Sequence, residues 1–323
     1  MSLAKARSYS QFISVLTPPT SGGELVFSFT TVDAVSNISA TVTVSPVVTG
    51  ITEIELANQI YDAFVDQLSA YPYSGVPVHS DSQPVSSFRM SVTDHVASVW
   101  SQASFTNTFK LITNTTGAYI KLDDSKPDYL TIAEAKDLAL IKGFCFVTSD
   151  GTPFTDVQIA LSLSYYAAEV AAKLGNFIIL QTYLNQFRGK DAKSVFLKPT
   201  PITFLDTVVV KQKAFNTLFG FPGYSSTMFN LVSTTGELNF IPDSTLVNTR
   251  PPFRMDNEIQ VTFIAGYPTI PLELKQAIIL LYLFDAQGLA GLKSLAGDSF
   301  KVELANSKEI LIRIYAPLKP LKS

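Results

Sequence analysis

Val261-Thr262-Phe263-Ile264-Ala265-Gly266-Tyr267-Pro268-Thr269-Ile270-Pro271 runs straight into Leu272-Glu273-Leu274-Lys275-Gln276-Ala277-Ile278-Ile279-Leu280-Leu281-Tyr282-Leu283-Phe284. Glu258 to Ile264 has the β-branched and aromatic character of a strand. Gly266 and Pro268 then break it. Pro271 suits the first helical position, where its missing N–H is no loss. The helix predicted over Leu272 to Gln287 is apolar on nearly every side, and Gly288 closes it. A helix without a polar face is buried all round.

Working upstream, a second long helix starts at Thr155, with Gln158 three residues on, and runs to Leu174 before Gly175. Ile159, Leu163, Tyr166 or Ala167, Val170 and Leu174 form its inner stripe. A shorter helix starts at Thr131 with Glu134, a Thr-x-x-Glu capping box. Strands are predicted at Phe177 to Phe187, Val195 to Leu197, Ile202 to Lys211 and Leu238 to Ile241, with an exposed loop at Leu218 to Tyr224. Before Asp123-Asp124-Ser125-Lys126-Pro127-Asp128, a polar joint, the pattern changes. Leu25 to Thr30 and Ile38 to Val44 alternate with period two. Thr52 and Glu55 box the start of a helix with Ile54, Ala57, Ile60, Phe64 and Leu68 along it. Three short β-like runs follow, at Val85 to Thr93, Asn107 to Thr113 and Ala118 to Leu122. The expected organisation is α+β. Residues 1–23 are a polar arm, 24–126 a small β-β-α-β-β-β domain, and 127–323 a unit of two long helices, short helices and a small β-sheet.

The chain has 323 residues, a length that suits about two domains. Its net charge of −3 argues against a general nucleic-acid binder. Only 16% of residues are charged, against about 25% in ordinary proteins. Such a chain has an exterior suited to burial against other subunits. No stretch is apolar enough to cross a bilayer, the N-terminus lacks a signal-peptide core, and the single cysteine excludes an intrachain disulfide.

Chemistry is sparse. The histidines are His79 and His95. Asp94 before His95 could orient an imidazole for hydrolysis, but no Gly-x-Ser-x-Gly elbow supplies a nucleophile, and a surface or strand-edge histidine is the plainer reading. Asp94, His95, Asp123 and Asp124 lack metal-ligand spacing. Cys145, between Phe144 and Phe146, reads as a buried small hydrophobe. No phosphate-binding or dinucleotide-binding glycine motif is present, so neither cofactor nor metal is expected. Trp100, Phe105 and Phe109 could form a sugar-stacking surface, but core or subunit contact is the simpler reading. The Ala316-Pro317-Leu318-Lys319-Pro320-Leu321 tail cannot form a regular helix or central strand through its prolines. It is expected either to fray or to dock as an extended peptide, with Leu318 and Leu321 as anchors.

Residues 130–323 resemble the head-to-tail connector (adaptor) family of tailed bacteriophages. Thr131-Ile132-Ala133-Glu134-Ala135-Lys136 resembles the family's opening helix, Thr155 to Gly175 its second helix, and Phe196-Leu197-Lys198-Pro199-Thr200-Pro201-Ile202 the start of one of its strands. Val261 to Tyr267 with Ile270-Pro271 and Lys275-Gln276-Ala277-Ile278 resembles its most specific block, and Gly297-Asp298-Ser299-Phe300 with Ile314-Tyr315 its close. The sequence departs at Asp285-Ala286-Gln287-Gly288, where the family usually has Arg, and at Phe263, where Tyr is common. The first domain lies outside the family core.

The resemblance implies a non-enzymatic virion protein of the neck, present in the host cytoplasm during assembly. It implies a homo-oligomeric ring of twelve subunits between the portal protein and a tail-terminator or other neck protein. Double-stranded DNA passes through such a ring without sequence-specific binding, and no membrane is involved. It places Tyr166, Val170, Ile278, Leu281 and Phe284 in the ring's helical core. Tyr315, Leu318, Lys319 and Leu321 become a tail that meets the portal. Other readings are a tail-completion or baseplate component, a glycan-binding virion module using Trp100, and a hydrolase built on His95.

Overall fold

The computed structural model describes residues 10–32, 37–68, 88–101, 104–105, 108–124, 126–148, 150–174, 178–189, 194–212, 228–241, 257–286 and 314–321. His79, Gly175, the Leu218–Tyr224 loop, Gly288 and the Gly297–Phe300 segment lie outside them.

The first half of the chain contains β1 (Ser10–Val15), β2 (Gly23–Val32), β3 (Asn37–Val47), α1 (Glu53–Leu68), β4 (Phe88–Thr93), β5 (Val96–Ser101), β6 (Ser104–Phe105), β7 (Lys110–Asn114) and β8 (Ile120–Asp123). They form two antiparallel sheets, one in the order β4-β5-β1-β8 and one in the order β3-β2-β6, with β7 also pairing β2. Helix α1 starts at the predicted capping box: Thr52 N–H donates to Glu55 Oε2 at 2.7 Å and Glu55 N–H to Thr52 Oγ1 at 3.2 Å. Leu56, Ala57, Ile60, Phe64 and Leu68 then face a core shared by both sheets. Phe27, Phe29, Phe64, Phe88, Phe105 and Phe109 pack there as edge-to-face, stacked and tilted pairs 5.3–6.5 Å apart.

One expectation is corrected here. Residues 10–15 are not part of a polar arm: β1 is an inner strand of the first sheet, paired with both β5 and β8. The polar joint Asp123–Asp128 ends on a buried residue, Asp128, followed by the buried Tyr129 and Leu130.

The second half contains α2 (Ile132–Ile141), α3 (Asp156–Leu174), β9 (Gln181–Arg188), β10 (Ser194–Phe196), β11 (Ile202–Gln212), β12 (Phe229–Val232), β13 (Glu237–Phe240), β14 (Asn257–Ala265), α4 (Leu272–Ala286) and a C-terminal 3-10 helix, Ala316–Leu321. Both predicted caps hold: Thr131 and Glu134 form a full capping box, and Thr155 exchanges bonds with Gln158 at 2.8 and 3.3 Å. Instead of one small sheet there are two three-stranded sheets, β11-β14-β9 and β10-β13-β12, sharing their own core around Leu238, Val261 and Phe263. Helix α4 is buried on most sides, as its composition requires. Among the described residues no helix is long and apolar enough to cross a membrane.

One seam joins the halves. In the register of the first sheet, Ser91 and Thr93 of β4, Val96 and Ser98 of β5, and Phe12 and Ser14 of β1 share one face. That face lies against the second half. Ser91 Oγ donates to Leu180 O at 2.7 Å. Thr93 Oγ1 accepts from Leu180 N–H at 2.9 Å and donates to Tyr267 O at 3.3 Å. Asp128 is the hub. Its N–H donates to Ser14 Oγ (3.2 Å), its carbonyl accepts from His95 Nε2 (3.0 Å), and its carboxylate takes Lys121 Nζ and the Ser164 hydroxyl of α3. Asp94, in the β4–β5 turn, accepts from Ile270 N–H at 2.8 Å and sits 3.7 Å from the buried Lys275 Nζ, which also pairs with Glu134.

The turn before α4 is shaped by a backbone crossing. Gly266 has φ +126°, and a Cβ there would strike the carbonyl of Ile179. The neighbouring Tyr267 N–H donates to Ile178 O at 2.7 Å, which holds the two segments together. Gly266→Ala is therefore expected to lower stability by about 2 kcal/mol or more, read as a shift in the denaturation midpoint at unchanged slope. An unshifted midpoint would mean that the crossing relaxes freely.

His95 is 1% exposed, and burial pushes its pKa below the ordinary 6.5; the charge of Glu134 opposes this and that of Lys275 adds to it. The folded chain thus keeps His95 neutral where the unfolded chain takes a proton. This contribution is fully present above pH 6.5 and is lost as pH falls toward the depressed folded value. Below that onset, stability should fall by up to about 1.4 kcal/mol per pH unit from this group. His95→Gln should flatten that part of the profile in denaturant titrations between pH 8 and pH 5, and parallel profiles would refute the assignment.

Candidate functional site

The residues expected at a ring core are buried inside this chain. Val170, Ile278 and Leu281 are fully enclosed between α2, α3 and α4, together with Phe12 and Leu16 from the start of the chain. Tyr166 packs against the same core, its ring edge-on to Tyr282 at 5.8 Å. The side chain of Phe284 lies outside the described residues. These positions hold the subunit together.

The tail is corrected as well. It is neither frayed nor extended: Ala316–Leu321 forms a 3-10 helix in which Leu318, 1% exposed, enters the helical core. Tyr315 donates its hydroxyl to Glu169 Oε1 of α3 at 3.1 Å, and burial beside that carboxylate pushes its pKa up. Leu321 packs alongside, and Lys319 points outward. The 3-10 geometry tolerates the prolines because it is short and needs few backbone donors.

The readings from other functional classes meet different obstacles. Trp100 is buried and Phe105 and Phe109 lie against the first core, so the three rings do not form an exposed stacking platform. His95 is enclosed, with Nε2 engaged by a carbonyl, while the Asp94 carboxylate is turned to Ile270 and Lys275. Asp123 accepts from Lys126 N–H, in a different setting. Among the described residues no three His, Cys, Asp or Glu side chains converge as metal ligands. Cys145, expected inside, is exposed while its neighbour Phe146 turns into the core.

What the structure does expose is a stripe on α3. Val157, Leu161 and Tyr165 are 49%, 61% and 66% accessible, opposite the buried Ile159, Leu163, Ala167 and Val170. No charged residue occurs on the helix between Asp156 and Glu169. Both of those charges are already engaged, Asp156 by Lys136 at 2.8 Å and Glu169 by Tyr315. Tyr165 stands edge-on to Tyr166, with centroids 5.1 Å apart at 88°. The end of α2 adds Leu140 and Ile141, 65% and 75% exposed. Lys136 lies one turn before Leu140, so its ion pair with Asp156 ties that end of α2 to the start of α3. The signal was present in the sequence as a second apolar row at i, i+4 and i+8. The inner row alone accounts for a helix packed on one side, so the outer row carries no signal about the fold.

No protein family matches the chain, and no curated protein does. Solved structures offer similar chains in gene transfer agent particles. One is a chain of the virion of a native particle, with 15% identity over 57% of this chain and 88% of that one and a TM-score of 0.35. A second is from the neck of an empty particle treated with C6 symmetry, with 17% identity, 58% and 88% coverage, and a TM-score of 0.34. A third is from the neck of a native particle treated with C12 symmetry, with 15% identity, 48% and 80% coverage, and a TM-score of 0.30.

Proposed function

We propose that the chain is a structural protein of a tailed-phage-type virion, a head-to-tail adaptor that forms a ring between portal and tail and extends the DNA channel. The observation that carries this reading is the block from Val261 to Ile278. Its residues resemble the adaptor family's most specific segment, and here they fold as one unit: β14, the Gly266 crossing, then a helix buried almost all round. The exposed uncharged stripe on α3 and the charge-poor composition support a role among protein neighbours. A channel for DNA needs walls that do not hold phosphates, and the net acidity suits this. The work is mechanical rather than catalytic. A tail that meets the portal does so with its Lys319 side while Leu318 remains docked. The subunit folds in the host cytoplasm and ends in the virion neck.

Deleting the gene in the producing strain tests this directly. Electron micrographs should show DNA-filled heads and free tails that fail to join, and an antibody to residues 24–123 should label the neck of intact particles. Label at the distal end of the tail, or normal particles from the deletion strain, would overturn the reading.

A further inference from the structure

We infer that Lys121 and Asp128 condense into an isopeptide bond, a covalent tie between β8 and the segment that enters α2. Lys121 Nζ lies 3.1 and 3.0 Å from the two carboxylate oxygens of Asp128. The carboxyl carbon between those oxygens is then within about 3.5 Å of the amine, the range in which reacting atoms are already poised. Both side chains are withdrawn from solvent, at 18% and 7% exposure. The ion pair leaves the carboxylate poorly served: Asp128 Oδ2 is buried and accepts no hydrogen bond, although Nζ is 3.0 Å away. A buried pair of this kind loses in desolvation much of what it gains in attraction. A neutral amide removes both charges and that cost with them.

The surrounding groups can move the protons. Ser164 Oγ of α3 stands 2.6 Å from Lys121 Nζ and 2.6 Å from Asp128 Oδ1, accepting from the first and donating to the second. The other acceptor within reach of its hydrogen, Ala160 O, is uncharged and farther off at 2.8 Å. One shift along that path turns the ammonium into an amine and the carboxylate into an acid, the forms that react. The amine attacks Cγ and the N–C bond forms. Asp123 Oδ2, 3.9 Å from Nζ, takes the second amine proton and hands it to the protonated Oδ1. The C–O bond breaks, Oδ1 leaves as water, and Oδ2 stays as the amide carbonyl. Nothing is oxidised or reduced, and no co-reactant is needed. Asp128 also lines a cavity of about 10 Å³, beside Leu16, Ala160, Leu163 and Ile278, which is the room one water occupies. Its apolar walls keep bulk water from reversing the step.

The position suits such a bond. Asp128 is where Ser14, His95 and α3 meet, so a tie there fixes the junction between the two halves. With a single cysteine the chain has no intrachain disulfide to do the same. The inference goes beyond the neck reading and does not depend on it.

Intact-mass measurement on the purified full chain, stored folded at neutral pH and then denatured, tests this. Allowing for removal of Met1, the wild-type chain should be lighter than its sequence mass by one water. Lys121→Arg, which keeps a cation at the site, should show its full mass. Trypsin cannot cut at a condensed Lys121 and spares Lys126 before Pro127, so residues 111–136 should appear as one peptide lacking a water. Ser164→Ala, without the relay, should lag the wild type in condensed fraction by about tenfold or more. Four results would overturn the inference, wherever in a virion the protein stands. They are a folded wild-type chain at full mass, a water loss that persists in Lys121→Arg (as a cyclic imide at Asp150-Gly151 would give), a trypsin cut at Lys121 in the lighter species, or undiminished condensation in Ser164→Ala.

Discussion

The sheet β4-β5-β1-β8 is buried on both faces, and the two faces are chemically opposite. Ile13, Val15, Met90, Ala97 and Val99 enter the first core, while Ser14, Ser91, Thr93 and Ser98 turn toward the second half of the chain. A buried hydroxyl left without a partner costs about 1–3 kcal/mol, as Ser98 Oγ does here, so the hydroxyls of Ser14, Ser91 and Thr93 are better covered by polar backbone than by a plain apolar surface. Those three hydroxyls take backbone groups free of their own ladders. The second half supplies them at three irregular places: Leu180 before β9, Tyr267 after β14, and Asp128 before α2. The Gly266 crossing, which brings Tyr267 beside Ile178 and Ile179, is how two of those places come together.

The same requirement explains the charges in the seam. Lys275 sits almost fully buried near the start of a helix whose middle is apolar, between Asp94 of the first half and Glu134 of the second. Lys121 bridges from β8 to Asp128 and Ser164. Removing one partner of such a pair leaves a desolvated charge, whereas the intact pair contributes little net stability. These contacts fix how the halves sit rather than how strongly they adhere. Arg89 of β4 bonded to Asp206 of β11 at 2.8 Å repeats the device at the far edge.

Local chemistry was legible in the sequence wherever it acts within a few residues. Thr52 with Glu55, Thr131 with Glu134 and Thr155 with Gln158 all start helices where they were read, because a cap needs only its own turn. The apolar girth of α4 was legible for a similar reason. Strands β1 and β5 were not. Ser10-Gln11-Phe12-Ile13-Ser14-Val15 resembles an arm because its serines look solvated, and only the seam gives Ser14 a buried partner. Val96 to Ser101 hides its alternation in the same way, with Ser98 and Trp100 on the face turned away from the first core. The tail was misread for the opposite reason. Its prolines exclude a long helix but permit two turns of 3-10 helix, and Leu318 fits a core that only the tertiary fold creates.

The composition overstates how apolar the exterior is. Three separate cores take up Ile278, Leu281, Leu318, Phe29, Phe64 and Val261, residues that a count of charges alone would leave free to meet other subunits. Much of the charge deficit is therefore absorbed by a multilayered interior and by a seam lined with Ser and Thr, which resemble surface residues only in a sequence. This narrows the search for contacts. On α3 a row of apolar side chains at four-residue spacing is exposed among the described residues. The described fold buries Ile159, Leu163, Ala167 and Val170 of that helix and leaves Val157, Leu161 and Tyr165 on its exposed side.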